Sequence, residues 1–309
     1  MHILIIGLGS IARKHIHAIR AIVPDASIYA LRSRKGAPGV EGVTDIASLD
    51  ELRVTPDFAI ISNPTSLHAS AITSLLGLRI PLFIEKPLFD SLDHKAVMDD
   101  IRRSDVTTYV ACNLRHLDSL RYLHDYISSH PERRINEVNV YCGSYLPDWR
   151  PGTDFRKCYS AIPELGGGVN IDLIHDIDYT CWIFGMPERS FGLCRSASSL
   201  GIRAIDYANY TLAYPGFTAS IILNYYRRDY RRRLEVLFDD DTWTLDIPSD
   251  SITDSRGETV YRGNSTPADT YTAQMRYFID TLRSGVRPDN DAATAYDILK
   301  ICLNYERLN

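Results

Sequence analysis

The sequence predicts an α/β protein in which an N-terminal doubly wound parallel sheet is followed by an α+β domain with a large, mostly antiparallel sheet. Up to about residue 115, short apolar runs alternate with segments of helical periodicity. This alternation is typical of a parallel sheet covered on both faces. The strands predicted in this part are His2–Ile6, Ser27–Leu31, Asp57–Ser62, Ile80–Glu85 and Thr107–Cys112.

In the second half, strand candidates follow one another directly, as in an antiparallel sheet. Leu234, Val236 and Phe238 recur at every second position, which indicates one buried face. We therefore predict two domains, residues 1–116 and 117–309. The predicted strands are Glu137–Gly143, Arg189–Ser196, Ile205–Tyr214, Phe217–Tyr225, Arg231–Phe238 and Thr242–Ile247, and the predicted helices are Val169–Phe184, Tyr271–Ser284 and Ala292–Arg307.

The bulk composition is that of an ordinary globular protein and indicates neither a nucleic-acid partner nor a membrane span. The 309 residues are 45% hydrophobic and 24% charged, with a formal net charge of -5. The chain opens on a strand-like run without a leader pattern, so a cytoplasmic location is expected. The six cysteines lack the spacing of a zinc site, so we predict reduced thiols and no metal.

A glycine-rich turn follows the first predicted strand and opens the first predicted helix. In this context, its pattern G-x-G-x-x-A is the fingerprint of a dinucleotide-binding Rossmann domain. Gly7 permits the tight turn, Gly9 lets a pyrophosphate approach the backbone, and the small Ala12 lets the helix pack closely on the strand. We predict that the coenzyme contacts Gly7, Gly9, Ser10, Ile11 and Ala12. A turn without a ligand is the alternative.

Basic residues stand where an NAD site usually has an acidic one, about 20 residues beyond the fingerprint. Arg32, Ser33 and Arg34 directly follow the second predicted strand. A guanidinium matches a 2′-phosphate with two hydrogen bonds, so the sequence favours NADP, with NAD as the other option. The alternative is a solvent-exposed basic loop.

Two further sites carry residues suited to proton transfer. Lys86 ends a strand of the parallel sheet, at the edge where ligands of such folds bind, and can exchange a proton with a substrate hydroxyl. A surface ion pair with Glu85 is the alternative. Three glycines precede Asp172, His175 and Asp178, which share one face of the predicted helix. Either carboxylate can orient the imidazole of His175, which is a candidate acid/base group.

Together these motifs resemble the Gfo/Idh/MocA family, the group of glucose-fructose oxidoreductase and inositol dehydrogenase. The matching segments are Gly7–Ala12, Ser62–His68, Glu85–Pro87 and the triple glycine leading to Asp172 and His175, which together span most of the chain. The sequence departs from the family pattern at one point. Many members place the aspartate four residues before the histidine, whereas Asp172 precedes His175 by three.

The resemblance implies a Rossmann domain followed by a domain with a large sheet, and a homodimer or homotetramer. It implies that Lys86 contacts the nicotinamide ribose and the substrate hydroxyl, and that His175, with Asp172, acts in acid/base catalysis or orients the substrate. Asn63 and Pro64 would line the coenzyme, and the Lys86–Pro87 peptide would be cis. His68 and Glu85, which belong to the same motifs, would also contact the coenzyme.

The loop from Tyr145 to Ser160 is dense in aromatic and basic residues and is a candidate roof for a substrate pocket. Trp149 offers a flat face for a sugar ring, and Arg150, Arg156 and Lys157 suit a carboxylate or phosphate. A packed structural connection is the alternative. Together with Gly166–Asp178, the loop resembles the family branch linked to surface-polysaccharide and sialic-acid-like sugars. The predicted substrate contacts are Arg115, Trp149, Arg150, Tyr159, Asp172 and His175.

We therefore expect a nicotinamide-dependent oxidoreductase, with NADP favoured, acting on a hydroxyl or ketone of a sugar, amino sugar or nucleotide sugar. Two other functions fit the same motifs. One is a redox-neutral eliminase or epimerase that keeps its coenzyme bound, and the other is a regulatory protein that senses the coenzyme without chemistry.

Overall fold

The computed structural model describes residues 1–32 and 38–308 and divides the chain into two compact units. The helices are α1 (Ser10–Ile22), α2 (His68–Leu76), α3 (Lys95–Ser104), α4 (Asp118–Ser129), α5 (Val169–Asp172), α6 (Ile174–Phe184), α7 (Pro267–Ser284) and α8 (Ala292–Leu303). The strands are β1 (His2–Ile6), β2 (Ser27–Leu31), β3 (Val43–Ile46), β4 (Phe58–Ile61), β5 (Leu82–Glu85), β6 (Thr108–Ala111), β7 (Ile135–Tyr145), β8 (Arg189–Arg195), β9 (Tyr207–Ala213), β10 (Thr218–Asn224), β11 (Tyr226–Phe238), β12 (Thr242–Asp246), β13 (Ser251–Thr253), β14 (Thr259–Arg262) and β15 (Glu306–Leu308).

The first unit is built on a parallel sheet with the strand order β3-β2-β1-β4-β5-β6. This is the order of a Rossmann domain, and it confirms the predicted fold class. The strands β1, β4 and β5 are almost entirely buried, as expected for strands covered on both faces. Strand β3 escaped prediction because only Ile46 of its residues is buried, so it lacks an apolar run.

A C-terminal segment completes the first unit. The unit consists of Met1–Asn113 and Ala268–Asp297, so most of α7 and half of α8 belong to it rather than to the second unit. Phe278 of α7 packs edge-on against Phe58 and Phe83, with ring centroids 5.3 and 5.4 Å apart. This differs from the single predicted boundary at residue 116, because the apolar face of α7 is buried against a sheet formed far earlier in the chain.

The second unit, Leu114–Pro267 with Ile298–Asn309, contains a mixed sheet in the order β14-β13-β12-β11-β7-β10-β9-β8-β15. Strand β10 pairs in parallel with β7, β15 pairs in parallel with β8, and the other pairings are antiparallel. The alternating residues Leu234, Val236 and Phe238 of β11 are buried, as predicted.

Three local predictions are wrong. The helix predicted over Val169–Phe184 is interrupted at Leu173, so Asp172 ends α5 while His175 belongs to α6. The last predicted helix ends at Leu303, and part of the remainder forms strand β15. The position of Ser91 before the helical segment with Val97 and Ile101 predicts that it caps α3, but Ser91 instead bonds to Asp93 in a turn before the helix.

All six cysteines are free, and all except the half-buried Cys158 are buried. Among the described residues, none of the helices has the length and apolarity to cross a membrane.

Candidate functional site

The turn after β1 forms an open cradle in front of α1. Gly7 has a φ of +86°, and a Cβ built there would lie 3.0 Å from the Cα of Asn63. A Cβ built on Gly9 meets no described atom within 4 Å, so the space in front of this residue is open. Ala12, in the first turn of α1, is fully buried, as the fingerprint requires. The two glycines therefore have different roles. Gly7 allows two turns to approach each other closely, whereas Gly9 leaves the space in front of α1 free.

The N-terminus of α1 presents unsatisfied N–H groups to this cradle. Its N-cap is Gly9, and in the described part of the chain no side chain caps it. The first turn carries no acidic residue, and Ser10 is exposed. Uncapped N–H groups and the positive end of the helix dipole are suited to an anion such as a pyrophosphate.

The turn after β4 lies at the same edge of the sheet, and the buried side chain of His68 holds it in place. The half-buried Asn63 and the exposed Pro64 form this turn. The imidazole of His68 lies 3.1 Å from the carbonyl oxygen of Asn63 and 3.1 and 3.2 Å from those of Pro87 and Leu88. At 1% exposure, His68 links two loops rather than reaching a ligand. The expected direct coenzyme contact of His68 is not supported.

Burial lowers the pKa of His68 because desolvation disfavours the imidazolium, and the carbonyl groups of Asn63, Leu88 and Pro87 and the charge of Glu85 offset this only in part. The imidazole is therefore held in its neutral form.

Strand β5, the neighbour of β4, ends at Glu85. Glu85 and Lys86 therefore lie next to the turn after β4, at the same edge of the sheet. The Lys86–Pro87 peptide is cis, as the family resemblance implied. Glu85 is 8% exposed, and its Oε1 lies 2.5 Å from Nε2 of the fully buried His15. Its Oε2 accepts the main-chain N–H of Lys86 at 3.2 Å. Glu85 thus faces the protein interior, which argues against the direct coenzyme contact expected from the sequence.

Arg32 directly follows β2 and is engaged with an acidic neighbour. Its guanidinium donates to Asp45 of β3 at 2.5 Å and to the carbonyl of Pro38 at 3.3 Å. The side chain of Asp45 is 43% exposed and that of Arg32 is 12% exposed, so only the carboxylate end of this ion pair is open to solvent. The expected contacts of Ser33 and Arg34 fall outside the described residues.

In the second unit, the interruption at Leu173 changes the geometry expected around His175. Asp172 and His175, both half-buried, do not follow each other on one continuous helix. Asp172 accepts a hydrogen bond from the hydroxyl of the buried Tyr225. Burial, followed by the nearby charge of Asp172, raises the pKa of Tyr225 well above its usual value, so the phenol remains a donor.

The two other carboxylates of this segment are bound by arginines. Asp178 receives 2.8 and 2.7 Å hydrogen bonds from Arg115, and both residues are almost fully buried. Asp176 receives two hydrogen bonds from Arg232, at 3.1 and 2.6 Å, and a third from Tyr179. This geometry does not support two expectations, that Arg115 binds substrate and that Asp178 orients His175, because the two charges satisfy each other.

The triple glycine is explained by the packing of the chain on itself. A Cβ on Gly167 would lie 2.2 Å from the carbonyl oxygen of Tyr159, and the hydroxyl of Tyr159 donates to the carbonyl of Gly166. The close contact at Gly167 and the positive φ angles of Gly166 (+83°) and Gly168 (+148°) account for the three glycines without a ligand. Tyr159 is therefore tied to its own loop, and the expected substrate contact through its hydroxyl is not supported.

A cavity of about 420 Å³ opens on the second unit beside Leu173, within the size range of small-molecule sites. Trp149 lines it and is 40% exposed; its indole N–H donates to Ser144 at 3.1 Å, and its ring packs edge-on against Tyr225. Arg150, predicted beside it, is exposed and does not line the cavity. The lining residues are Cys142, Ser144, Tyr145, Asp148, Trp149, Leu173, Arg228, Tyr230 and Arg232.

Arg228 and Tyr230 of this cavity were missed because their stretch of sequence has the composition of a solvated strand. Both are exposed at the start of β11, where the register with β7 shifts between Tyr226 and Arg231. Arg228 stacks on the ring of Tyr145 at 4.3 Å. Cys142 is no nucleophile here, because burial raises the pKa of its thiol to about 12.

Comparison with known proteins identifies the family. The model of the GFO/IDH/MocA oxidoreductases with an NAD-binding Rossmann fold matches residues 1–111, and the model of their C-terminal domain matches residues 132–244. The glucose-6-phosphate 3-dehydrogenase of Bacillus subtilis (strain 168) is 26% identical over 191 residues, 58% of this chain and 53% of that protein. The chain thus aligns with about half the length of this curated relative.

Solved structures share the whole fold. The UDP-N-acetylglucosamine 3-dehydrogenase GnnA from Acidithiobacillus ferrooxidans superposes with a TM-score of 0.79 at 18% identity, covering 99% of this chain and 96% of that one. A levoglucosan dehydrogenase in complex with NADH and levoglucosan gives a TM-score of 0.85 at 15% identity, covering 98% and 95%. At these identities the likeness shows the fold alone. Because the two family models match more than half of its length, the chain belongs to the Gfo/Idh/MocA oxidoreductase family.

Proposed function

We propose that the protein is an NAD(P)-dependent oxidoreductase that transfers hydride between the coenzyme and a hydroxyl or keto group of a carbohydrate. The observation that carries this proposal is the open, uncapped cradle in front of α1, at the same sheet edge as Lys86. The names of the relatives, which act on a sugar phosphate, a nucleotide sugar and an anhydrosugar, support the substrate class.

The cradle fits a dinucleotide. The free space at Gly9 and the uncapped N–H groups of α1 suit its pyrophosphate, while Asn63 and Pro64 form the next turn along the edge. Strands β1 and β5 are separated by β4, so Lys86 leaves the sheet about 10 Å from Gly7. A bound nicotinamide ring supplies or accepts the hydride.

Lys86 is the proposed proton-transfer group. Its ammonium donates a proton to the substrate oxygen when a ketone is reduced and takes it back, as the amine, when an alcohol is oxidised. His175, in the second unit, is proposed to orient the substrate or to share in this proton transfer. Of the three carboxylates near His175 in the sequence, we assign Asp172 to this site, because Asp176 and Asp178 are bound by arginines.

NADP is the proposed coenzyme. Arg32 stands at the end of β2, where an NAD site has an acidic residue, and a guanidinium is the usual partner of a 2′-phosphate. Because its partner Asp45 is exposed, a phosphate can compete with this carboxylate for the guanidinium.

The cavity beside Leu173 is the proposed substrate pocket. Trp149 and Tyr230 provide apolar faces for a sugar ring, and Arg228 provides a guanidinium for an anionic substituent. The expected homodimer or homotetramer stays a prediction.

Coenzyme titration followed by turnover assays tests the function. NADPH and NADH binding is measured by fluorescence, and oxidation of glucose 6-phosphate, UDP-N-acetylglucosamine and levoglucosan is followed by nicotinamide absorbance. We expect NADPH to bind more tightly and one sugar class to be oxidised. In the Lys86→Ala variant, kcat falls by about 10²–10⁴ while the coenzyme Kd stays within about threefold. Undiminished turnover by this variant, or failure to bind either coenzyme, contradicts the proposal.

A further inference from the structure

A buried contact connects the coenzyme-binding helix to the residue that precedes Lys86. His15 lies in the second turn of α1 and is fully buried, and its Nε2 is 2.5 Å from Oε1 of Glu85. The other carboxylate oxygen of Glu85 accepts the main-chain N–H of Lys86. One side chain of α1 therefore holds the carboxylate that in turn holds the backbone of Lys86.

The surroundings of this pair are aromatic. The imidazole of His15 packs edge-on against Phe83 at 4.9 Å and against Tyr271 at 6.1 Å. Burial, followed by the charge of Glu85, raises the pKa of Tyr271 to about 12, so its phenol is neutral at physiological pH. A buried carboxylate is costly without a hydrogen-bond partner. If His15 loses its polar nitrogen, Oε1 of Glu85 loses this hydrogen-bond partner and the carboxylate can change its position.

We propose that His15 is a positioning residue for Lys86: it fixes Glu85, and Glu85 fixes the main chain from which the Lys86 side chain leaves the sheet. This inference rests on the proposed function, in which Lys86 transfers the proton. It adds a role that the fingerprint does not contain, because His15 lies three residues beyond Ala12 and faces the interior. The same helix then carries the pyrophosphate cradle at its start and the support of Lys86 one turn later.

The consequence is a selective effect on catalysis. Small displacements of a catalytic group strongly reduce its contribution to the rate, whereas Glu85 has no atom within 4 Å of a Cβ built on Gly9 in the cradle. Loss of the contact therefore lowers kcat more than it weakens coenzyme binding. A merely structural role of His15 lowers stability and coenzyme affinity together.

Three variants of α1 separate these outcomes. His15→Leu removes the polar contact, His15→Gln keeps an N–H donor directed at Glu85, and His17→Leu alters an exposed histidine on the same helix. We expect kcat to fall at least tenfold in His15→Leu, with the coenzyme Kd within threefold of wild type. In His15→Gln and His17→Leu we expect kcat within threefold of wild type. If His15→Leu does not fold, His15→Asn, whose amide is too short to reach Glu85, replaces it under the same criteria.

A second readout needs neither substrate nor coenzyme. The rate at which an amine-reactive reagent labels Lys86 is measured by mass spectrometry, with the exposed Lys95 as the internal reference. In His15→Leu we expect the relative labelling rate of Lys86 to change at least threefold, and in the other two variants less than threefold. A folded His15→Leu protein with a smaller change overturns the inference.

The two proposals fail in different ways. If the wild-type protein oxidises none of the sugars, the proposed function loses its support, while the labelling of Lys86 still decides the role of His15. If Lys86→Ala abolishes turnover and His15→Leu leaves both kcat and labelling unchanged, the catalytic lysine stands and the positioning role of His15 is wrong.

Discussion

Arg115 and Asp178 form a buried two-point ion pair, with Nε and Nη2 of the arginine 2.8 and 2.7 Å from the two carboxylate oxygens. The side chains are 4% and 3% exposed. The sequence predicts that Arg115 contacts the substrate. It also predicts that Asp178 is one of two carboxylates able to orient His175. The pair instead connects the start of the second unit to α6, the helix that carries His175, so both residues fix the position of this helix.

The first prediction concerns the stability provided by this pair. Replacing Arg115 with Met leaves Asp178 as a buried, uncompensated charge, so we expect the free energy of unfolding to fall by about 3–5 kcal/mol. The exposed pair of Arg102 and Asp99 is the control, and Arg102→Met should cost less than about 1 kcal/mol. Urea unfolding of both variants makes the measurement. Equal losses in the two variants contradict the buried geometry.

The second prediction separates the two glycines of the cradle. At Gly9, φ is -81° and the space is open, so Gly9→Ala should leave the free energy of unfolding unchanged or slightly higher. Its methyl group lies where the pyrophosphate is proposed, so the coenzyme Kd should rise about tenfold or more. At Gly7, the positive φ and the close Asn63 should make Gly7→Ala about 1–3 kcal/mol less stable. Wild-type coenzyme affinity in Gly9→Ala would show that the cradle is not used.

The third prediction concerns the choice between the two coenzymes. Removing the guanidinium in Arg32→Ala should raise the Kd of NADPH about tenfold and leave that of NADH within threefold, because only NADPH carries the 2′-phosphate. Asp45→Asn, which frees Arg32 from its ion pair, should tighten NADPH binding. Parallel fluorescence titrations with both coenzymes provide the comparison. An unchanged ratio of the two Kd values in both variants assigns no role to Arg32 in discrimination.

The fourth prediction tests the pocket of the second unit. Trp149→Ala and Tyr230→Ala remove aromatic faces from the cavity, so the KM for sugar should rise about fivefold or more while the coenzyme Kd is unchanged. Met186→Ala changes an exposed apolar residue in the turn after α6 and serves as the control. Steady-state kinetics of the three variants provide the KM values for this comparison. If the control and the pocket variants have the same KM, the sugar binds elsewhere.

The fifth prediction is a pH dependence of stability that arises from His68. Its pKa is lowered in the folded protein, so between pH 6.5 and that lower value the unfolded chain binds more protons. Stability is therefore complete above pH 6.5 and declines on acidification, by at most about 1.4 kcal/mol per pH unit for one group. Urea unfolding at several pH values should give a shallower decline for His68→Gln than for wild type. His17→Gln, at an exposed site, should retain the wild-type slope.

The sequence was sufficient for features that depend on neighbours along the chain. The alternation of strands and helices up to residue 115, the turn at Gly7 and Gly9 and the family motifs follow from local patterns of side-chain direction and glycine placement. The parallel sheet of the first unit and the family itself agree with these predictions. Where a pattern was weak, as in β3, or where a helix was interrupted, as at Leu173, the local signal did not reveal the element.

Tertiary structure alone decided which polar and charged groups are paired with one another. Glu85 and His15 are 70 residues apart in the chain, and Arg115 and Asp178 are 63 apart, yet each pair is in direct contact. Residue type indicated that these groups were suited to chemistry, but burial and pairing determine whether a group faces a ligand or another side chain. The return of α7 to the first unit has the same origin, because the sheet that buries its apolar face is assembled from segments far away in the sequence.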